Sequence, residues 1–223
     1  MSVVSDEKIK KDVVDQLYWD SRVDASEIDI EVDDGKVVLK GDVPDYGSKA
    51  SASSDAWTIE GVTAVENDIM VNYPSSITVP RDEDIASNIR TSLELDVDID
   101  AADIDISVTG GIVTLEGSVD AYWKKERVEH KASNSEGVVD IVNKISIVST
   151  ENFLDKDIAE EIMGSISRNF NVDEENIDVI VKDGEVTLSG SVSDWNAYRA
   201  VLDAAEFTPG VKDVKDHLII ESL

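Results

Sequence analysis

Ionisable side chains are abundant in this chain, but few of them stand in a pattern that supports catalysis or metal binding. The two histidines, His130 and His217, lie far apart in the sequence. Residues 96–100, Asp-Val-Asp-Ile-Asp, have the alternating acids of a calcium loop, which also needs glycine at its sixth position and glutamate at its twelfth. Those positions hold Ala101 and Ser107. We therefore predict no specific metal site and only weak, unspecific association of cations with the acidic surface.

Nucleophilic and phosphate-binding chemistry is equally hard to place. The chain has no cysteine, which excludes disulfides and thiolate metal sites. It has no Gly-x-Ser-x-Gly elbow and no glycine-rich phosphate loop followed by Lys-Ser or Lys-Thr. Carboxylates are so numerous that their proximity means little, and an acid–base pair would also need a pocket that gives its two members different environments. We therefore predict that the protein is not an enzyme, with no catalytic residues and no cofactor.

The charge balance restricts the partners. With 49 acidic and 20 basic residues, the formal net charge at pH 7 is −29, and it is spread along the whole chain. A negative field opposes nucleic-acid binding, whose affinity comes largely from neutralised phosphates. It also opposes anionic lipid surfaces. We predict no nucleic-acid partner and interpret the charge as a solvated surface, with adaptation to high salt as a weaker alternative.

Aromatic side chains indicate contact with a partner. Tyr46, Tyr122 and Trp195 each come five residues after a glycine, where a helix is predicted to begin. Tyrosine and tryptophan are favoured at protein–protein and membrane interfaces. The alternative is that these rings pack over the end of a sheet, and Trp19 has no aromatic counterpart. The candidate residues for contact with a partner, a neighbouring unit or a lipid are Tyr46, Trp57, Tyr122, Trp123, Trp195 and Tyr198.

These residues belong to a segment that occurs three times. Residues 35–43, 111–119 and 184–192 each contain a glycine, a short alternating strand and a second glycine six residues on, and a third glycine follows 20 residues later. We expect the first glycines to form hairpin turns, the second to allow a bulge or a close backbone approach, and the third to cap a helix. The nine structural glycines are Gly35, Gly41, Gly61, Gly111, Gly117, Gly137, Gly184, Gly190 and Gly210.

Apolar periodicity supplies the elements around these glycines. A stripe at i, i+4 and i+8, such as Ile9, Val13 and Leu17, predicts an amphipathic first helix in each copy, with Asp82 and Asp155 as N-caps in the second and third. Alternating residues predict two hairpin strands, and small residues predict a close-packed second helix near 46–59, 121–135 and 194–207. A last strand follows the third glycine.

The pattern therefore predicts an α+β fold. It consists of three tandem α-β-β-α-β units, each with two helices packed on one face of a three-stranded mixed sheet. The predicted domains span residues 1–73, 78–149 and 151–223. Short linkers join them, which should keep neighbouring units close. The sequence does not predict their arrangement or an oligomeric state.

The repeated motifs resemble those of the BON domain family. The first copy reads Val-x-Leu-x-Gly-x-Val at 37–43 and Gly-Val-x-x-Val-x-Asn at 61–67, and both recur near 113 and 137. The third copy has Asp216 in place of the asparagine. The family includes an osmotically inducible periplasmic protein of enteric bacteria. The resemblance implies a non-enzymatic, bacterial protein linked to phospholipid or envelope association, to osmotic protection or to chaperoning.

Two hypotheses of function follow. The first is a non-catalytic, chaperone-like protein of the osmotic or stress response, whose tandem domains bind protein clients or an envelope component. The second is a phospholipid-surface protein that supports membrane integrity through weak lipid contacts of its aromatic residues. The N-terminus shows no basic head with a long apolar run. We therefore expect a cytoplasmic location, or a periplasmic one if an export signal has been removed.

Overall fold

A computed structural model describes residues 4–220, so the predicted outer domain ends, residues 1 and 223, lie outside the described residues. Each repeat has the order α-β-β-α-β, and a short 3₁₀ turn precedes its first strand. The first repeat contains α1 (Asp6–Trp19), β1 (Ile28–Asp33), β2 (Lys36–Val43), α2 (Tyr46–Trp57) and β3 (Ala64–Val71). The second contains α3 (Asp82–Glu94), β4 (Ile104–Thr109), β5 (Ile112–Val119), α4 (Tyr122–Ser133) and β6 (Asp140–Ile147). The third contains α5 (Asp155–Ser167), β7 (Ile177–Lys182), β8 (Glu185–Val192), α6 (Trp195–Glu206) and β9 (Asp213–Ile220).

The repeats do not coincide with the compact units of the chain. Of the described residues, 4–117 with 127–144 form one unit, and 118–126 with 145–220 form the other. No helix within residues 4–220 is both long and apolar enough to cross a membrane.

Each sheet has three strands with the middle strand of the sequence at its centre. In the first repeat β2 pairs antiparallel with β1 and parallel with β3, so that Val37 lies between Val32 and Val65. The third repeat has the same pairing around β8. The hairpin loop has two residues, because Asp33 pairs directly with Lys36. The mixed sheet and the α+β fold are thus confirmed.

The cores follow the predicted apolar stripes. Ile9, Val13 and Leu17 of α1 are buried, as are the equivalent residues of α3 and α5. Ala52 and Ala56 are fully buried on α2, where a small side chain lets the helix lie close to the sheet. Burial of one valine, leucine or isoleucine side chain, such as those of α1, contributes about 1.5–3 kcal/mol to the free energy of folding.

The second glycine of each repeat marks a close backbone approach, one of the two alternatives that the sequence left open. Gly41 has a φ of 123°, and a Cβ added there would lie 1.9 Å from the carbonyl oxygen of Glu27. Carbon and oxygen cannot approach to that distance, and β2 continues beyond the glycine to Val43. The 3₁₀ turn before β1 can therefore pack against β2 only where the strand has no side chain.

The N-cap assignment from the sequence is wrong by one residue. Arg81 and Leu154 are the N-caps of α3 and α5, while Asp82 and Asp155 are the first residues inside the helices. The Asp82 carboxylate instead accepts hydrogen bonds from the backbone N–H groups of Gly110 (2.8 Å) and Gly111 (3.0 Å). Asp6 and Asp155 make the same pair of bonds in the other repeats. This carboxylate therefore ties each first helix to its hairpin turn.

The third glycine of each repeat is not a helix cap, in contrast to the prediction. α2 ends at Trp57 with Thr58 as its C-cap, and α6 ends at Glu206 with Phe207 as its C-cap. Gly61 follows in a turn, where an added Cβ would lie 2.9 Å from the Cβ of Val4. At Gly210 the added Cβ would lie 2.7 Å from Phe153, and at Gly137 it would lie 2.6 Å from Ile85 of α3 and 3.2 Å from Pro80. The glycine therefore leaves room for the first helix and for the segment that precedes it.

Candidate functional site

Tyr46 stands at the start of α2, where Asp45 caps the helix by accepting a hydrogen bond from Ser48 N–H at 2.8 Å. Its half-buried ring lines a cleft of about 370 Å³ with Tyr73 and with residues 133–136 of the second repeat. Burial raises the pKa of the Tyr46 phenol, with a further contribution from nearby acids of the second repeat. The structure therefore places this candidate beside an internal boundary between the first two repeats.

Tyr73 forms the hydrogen-bonded contact at that boundary. Its hydroxyl accepts from the N–H of Gly137 at 2.9 Å and donates to the carbonyl oxygen of Val138 at 3.3 Å. Val139 packs against the first core. Burial raises the pKa of the Tyr73 phenol. The sequence analysis missed this residue, although it ends the predicted first domain and precedes a proline.

Trp195 and Tyr198 form a stacked pair in the third repeat, with ring centroids 4.9 Å apart. Tyr198 is only 9% exposed, and its hydroxyl donates to the Asp216 carboxylate. Burial and this carboxylate raise the pKa of Tyr198 strongly. In the first repeat Asn67 donates to the carbonyl oxygen of Lys49 instead, at 2.8 Å. The Asp216 replacement thus accompanies a different link between the last strand and the second helix.

The remaining candidates are all half-buried. Trp57 packs against the core of the first repeat. Tyr122 and Trp123 begin α4, and the Lys124 ammonium lies 5.6 Å from the centre of the Trp123 ring. A contact role for the six aromatic residues stays a prediction.

More exposed apolar side chains lie elsewhere, at the end of each first helix and in the loop that follows it. We call residues 18–24, 94–100 and 167–173 the tip loops. Trp19 is 80% exposed, Val97 is 96% exposed and Phe170 is 95% exposed, and Tyr18 and Leu95 are also largely exposed. Each repeat therefore presents at least one large apolar residue to solvent in its tip loop. The positions are not matched, because Trp19 aligns with Leu95 and Arg168, whereas Phe170 aligns with Val97 and Ser21, so the repeat pattern of the sequence does not reveal them.

The ends of each tip loop are fixed. Val23 and Ile99 are buried next to the core. Asp24 accepts a hydrogen bond from Ser26 N–H and so caps the following 3₁₀ turn, and Asp100 and Asp173 do the same in the other repeats. Because the loop is anchored on both sides, the exposed apolar residues are held away from the core.

The electrostatics of the tip loops differ between repeats. In the second, the buried Asp96 carboxylate lies 2.8 Å from Arg127 and 2.9 Å from Lys131. Burial opposes ionisation, but the bonds from Lys131 and Arg127 prevail and lower the pKa of Asp96 to about 2. This acid of the calcium-like segment is thus paired with cations, and residues 4–220 contain no cluster of three or more metal-ligating side chains.

In the first repeat two acids take the place of that ion pair. Asp55 on α2 is 5% exposed, has one oxygen with no hydrogen-bond partner, and lies 3.7 Å from Arg22. Burial and the Asp20 carboxylate raise the pKa of Asp55, while hydrogen bonds from Arg22 lower the pKa of Asp20. The third repeat has the uncharged Asn169 and Ala204 at these positions.

The sequence model of the BON domain matches residues 5–73, 81–149 and 154–222. The chain belongs to the BON domain family. It is 26% identical to osmotically-inducible protein Y of Escherichia coli strain K12 over 141 residues, which cover 62% of this chain and 68% of that protein. The three BON domains share their apolar stripes and hairpins and differ in the charges behind the tip loops.

Among solved structures, the BON chain aligns with CdsD, a structural protein of the type III secretion system of Chlamydia trachomatis. The identity is 15%, with 95% of this chain and 91% of that chain covered, and the TM-score is 0.26. A second structure, of the C-terminal domain of CdsD, gives 13% identity and a TM-score of 0.27, with 98% of this chain and all of that chain covered. TM-scores this low support no conclusion about a shared structure or function.

Proposed function

We propose that this BON protein is a non-catalytic interaction protein of the osmotic or stress response that binds protein clients or an envelope component through its tip loops. The observation that carries the proposal is the exposed apolar residue in each tip loop, at Trp19, Leu95 and Phe170. Covering such a side chain is favourable by up to about 1.5–3 kcal/mol, so each tip is a ready contact point. The link to stress is supported by the similarity to an osmotically-inducible protein.

Three tip loops on one chain favour binding through several weak contacts. A single apolar side chain gives little affinity alone, but covalently linked sites raise the effective concentration of the second and third. The strongly negative surface keeps the chain and a bound client dispersed. This combination suits a protein that holds unfolded or partly folded clients.

The test is an aggregation assay with a chemically denatured client and the full-length chain. The variant Trp19→Ser/Leu95→Ser/Phe170→Ser should lose most of the suppression of light scattering. The matched control, Met70→Ser/Val142→Ser/Ile219→Ser, removes one exposed apolar residue from the last strand of each domain and should behave like the wild type. Equal losses in both variants, or no suppression by the wild type, would count against the proposal.

A phospholipid surface is the second candidate, favoured by one observation in the first domain. Tyr18 and Trp19 are adjacent, exposed and in edge-to-face contact at 5.3 Å, and such residues are favoured at membrane interfaces. Vesicle flotation separates the candidates. Binding to zwitterionic vesicles that is lost in Trp19→Ser would support the lipid role, and absence of the chain from all vesicle fractions would exclude it.

A further inference from the structure

The third tip loop borders a cleft in the third domain. The cleft has a volume of about 400 Å³ and lies between the tip loop, the end of β8 and the start of α6. Its apolar lining includes Phe170, Val172, Val192 and Ala197. Asp173 and Asn176 supply polar groups at its edge. Asn171, Ser191 and Ser193 also line it, so the cleft offers both apolar and polar groups to a partner.

Phe170 makes this cleft different from a surface depression. Its side chain is 95% exposed and borders the cleft, whereas the apolar residues Val192 and Ala197 of the lining are already buried. The loop is held by the Asp173 carboxylate, which accepts from Glu175 N–H at 3.3 Å and from the Asn176 side-chain amide at 3.2 Å. A partner's apolar side chain that enters the cleft would therefore cover Phe170 without refolding the loop.

The charge around the cleft selects the partner. Asp173 is followed by Glu174 and Glu175, and Asp194 precedes α6 on the other side. The counterparts of Asp96 and Lys131 are the uncharged Asn169 and Ala204, so α6 brings no cation to this position. Arg199 on α6 pairs with Asp203 at 2.6 Å. Asp173 is the charged residue of the lining, and Arg168 of the same tip loop lies 3.8 Å from Glu161. The charge beside the cleft is therefore mainly acidic, which repels anionic lipid and nucleic acid and attracts lysine and arginine.

We propose that the third tip cleft binds a basic amphipathic segment of a partner protein. An apolar side chain of the segment enters the cleft against Phe170, and its lysine or arginine residues lie against Asp173 and the adjacent glutamates. This inference rests on the proposed function and deepens it, because it assigns the chemistry of the partner at one of the three tips.

The test uses fluorescence anisotropy with the full-length chain and a labelled amphipathic peptide of lysine and leucine. Phe170→Ser should weaken binding about tenfold, as expected for the loss of one covered apolar side chain. Phe207→Ser is the matched control, since Phe207 is also exposed in the third domain but lies at the other end of α6. Asp173→Asn keeps the capping oxygen and should weaken binding mainly at low salt.

Two results would overturn the assignment: equal affinity of Phe170→Ser and the wild type, or equal affinity for a peptide with glutamate in place of lysine. Circular dichroism of each variant confirms that the fold is retained. The aggregation assay separates this inference from the proposed function. If the tips suppress client aggregation but the lysine–leucine peptide does not bind, the cleft assignment fails and the function stands. If the peptide binds at Phe170 but the triple tip variant still suppresses aggregation, the function fails and the cleft stands.

Discussion

At the scale of single residues, the second glycine of each repeat sets how closely two backbone segments can pass. In the third domain an added Cβ at Gly190 would lie 1.9 Å from the carbonyl oxygen of Asn176. The φ of Gly190 is 122°, which is unfavourable for other residues. The clash is with backbone atoms of the capped 3₁₀ turn, so no side chain can move aside to relieve it.

Gly190→Ala should therefore destabilise the third domain by about 2–4 kcal/mol, through strain and a displaced turn. Gly164→Ala is the control in the same domain. Gly164 lies in α5, its nearest contact is the mobile end of Arg168, and alanine should be neutral or stabilising by up to about 1 kcal/mol. Hydrogen–deuterium exchange of β7 and β8 reports the difference. Similar protection in the two variants would contradict the close-approach argument.

Asp55 illustrates an unfavourable residue in the first domain. Its raised pKa means that the folded domain holds the proton more tightly than the unfolded chain, so ionised Asp55 reduces stability at neutral pH. That loss of stability disappears as the pH falls through the raised pKa towards the usual value of about 4. The groups that face Asp55 are Asp20, Arg22 and Gln16.

Asp55→Asn should stabilise the first domain by about 1 kcal/mol at pH 7, because the neutral amide can donate to Asp20 and removes a buried, unpaired oxygen. The gain should shrink at pH 4 and below. Denaturant unfolding at both pH values, followed by tryptophan fluorescence, measures it. Asp12→Asn, a partly exposed acid on α1 paired with Lys8, is the control. A stabilisation by Asp55→Asn that does not change with pH would refute the ionisation argument.

At the scale of elements, an acid in the first turn of each first helix connects two elements that are distant in sequence. Asp82 accepts from the turn at Gly110 and Gly111, 28 and 29 residues away. From the sequence an acid here could be an N-cap or a first-turn residue, because both positions favour negative charge near the helix N-terminus. The packing of the helix beside the hairpin decides which of these two roles the acid takes. This contact therefore could not be predicted from local sequence patterns.

Asp82→Ala should cost the second domain about 1–3 kcal/mol, since two backbone N–H groups lose a charged acceptor. Asp84→Ala is the control on the same helix. Its carboxylate pairs only with the exposed Arg81 guanidinium, so little change is expected. Thermal unfolding of both variants by circular dichroism provides the comparison. A larger loss of stability in Asp84→Ala would contradict the proposed stabilisation by the hydrogen bonds between Asp82 and the hairpin turn.

At the scale of the whole molecule, the sequence predicts the architecture better than the contact surfaces. Glycine spacing and apolar periodicity suffice for the three α-β-β-α-β units, because they reflect rules within one domain. The tip loops and the Tyr73 contact depend on which side chains remain uncovered or meet across a boundary. Trp57 and Tyr198 are candidate contact residues from the sequence, yet Trp57 packs against a core and Tyr198 is buried.

The Tyr73 hydroxyl joins the first two domains, and the residues of this contact, Tyr73, Gly137 and Val138, lie in the same compact unit. Tyr73→Phe removes the acceptor of Gly137 N–H and the donor to Val138, and should weaken the coupling of the two domains by about 1 kcal/mol. The amide of Gly137 should then exchange several-fold faster in hydrogen–deuterium exchange. Tyr18→Phe makes the same chemical change at an exposed site in the first tip loop and should leave that exchange unaltered. If both variants exchange at the wild-type rate, the two domains are held together by the apolar contact of Val139 rather than by this hydroxyl.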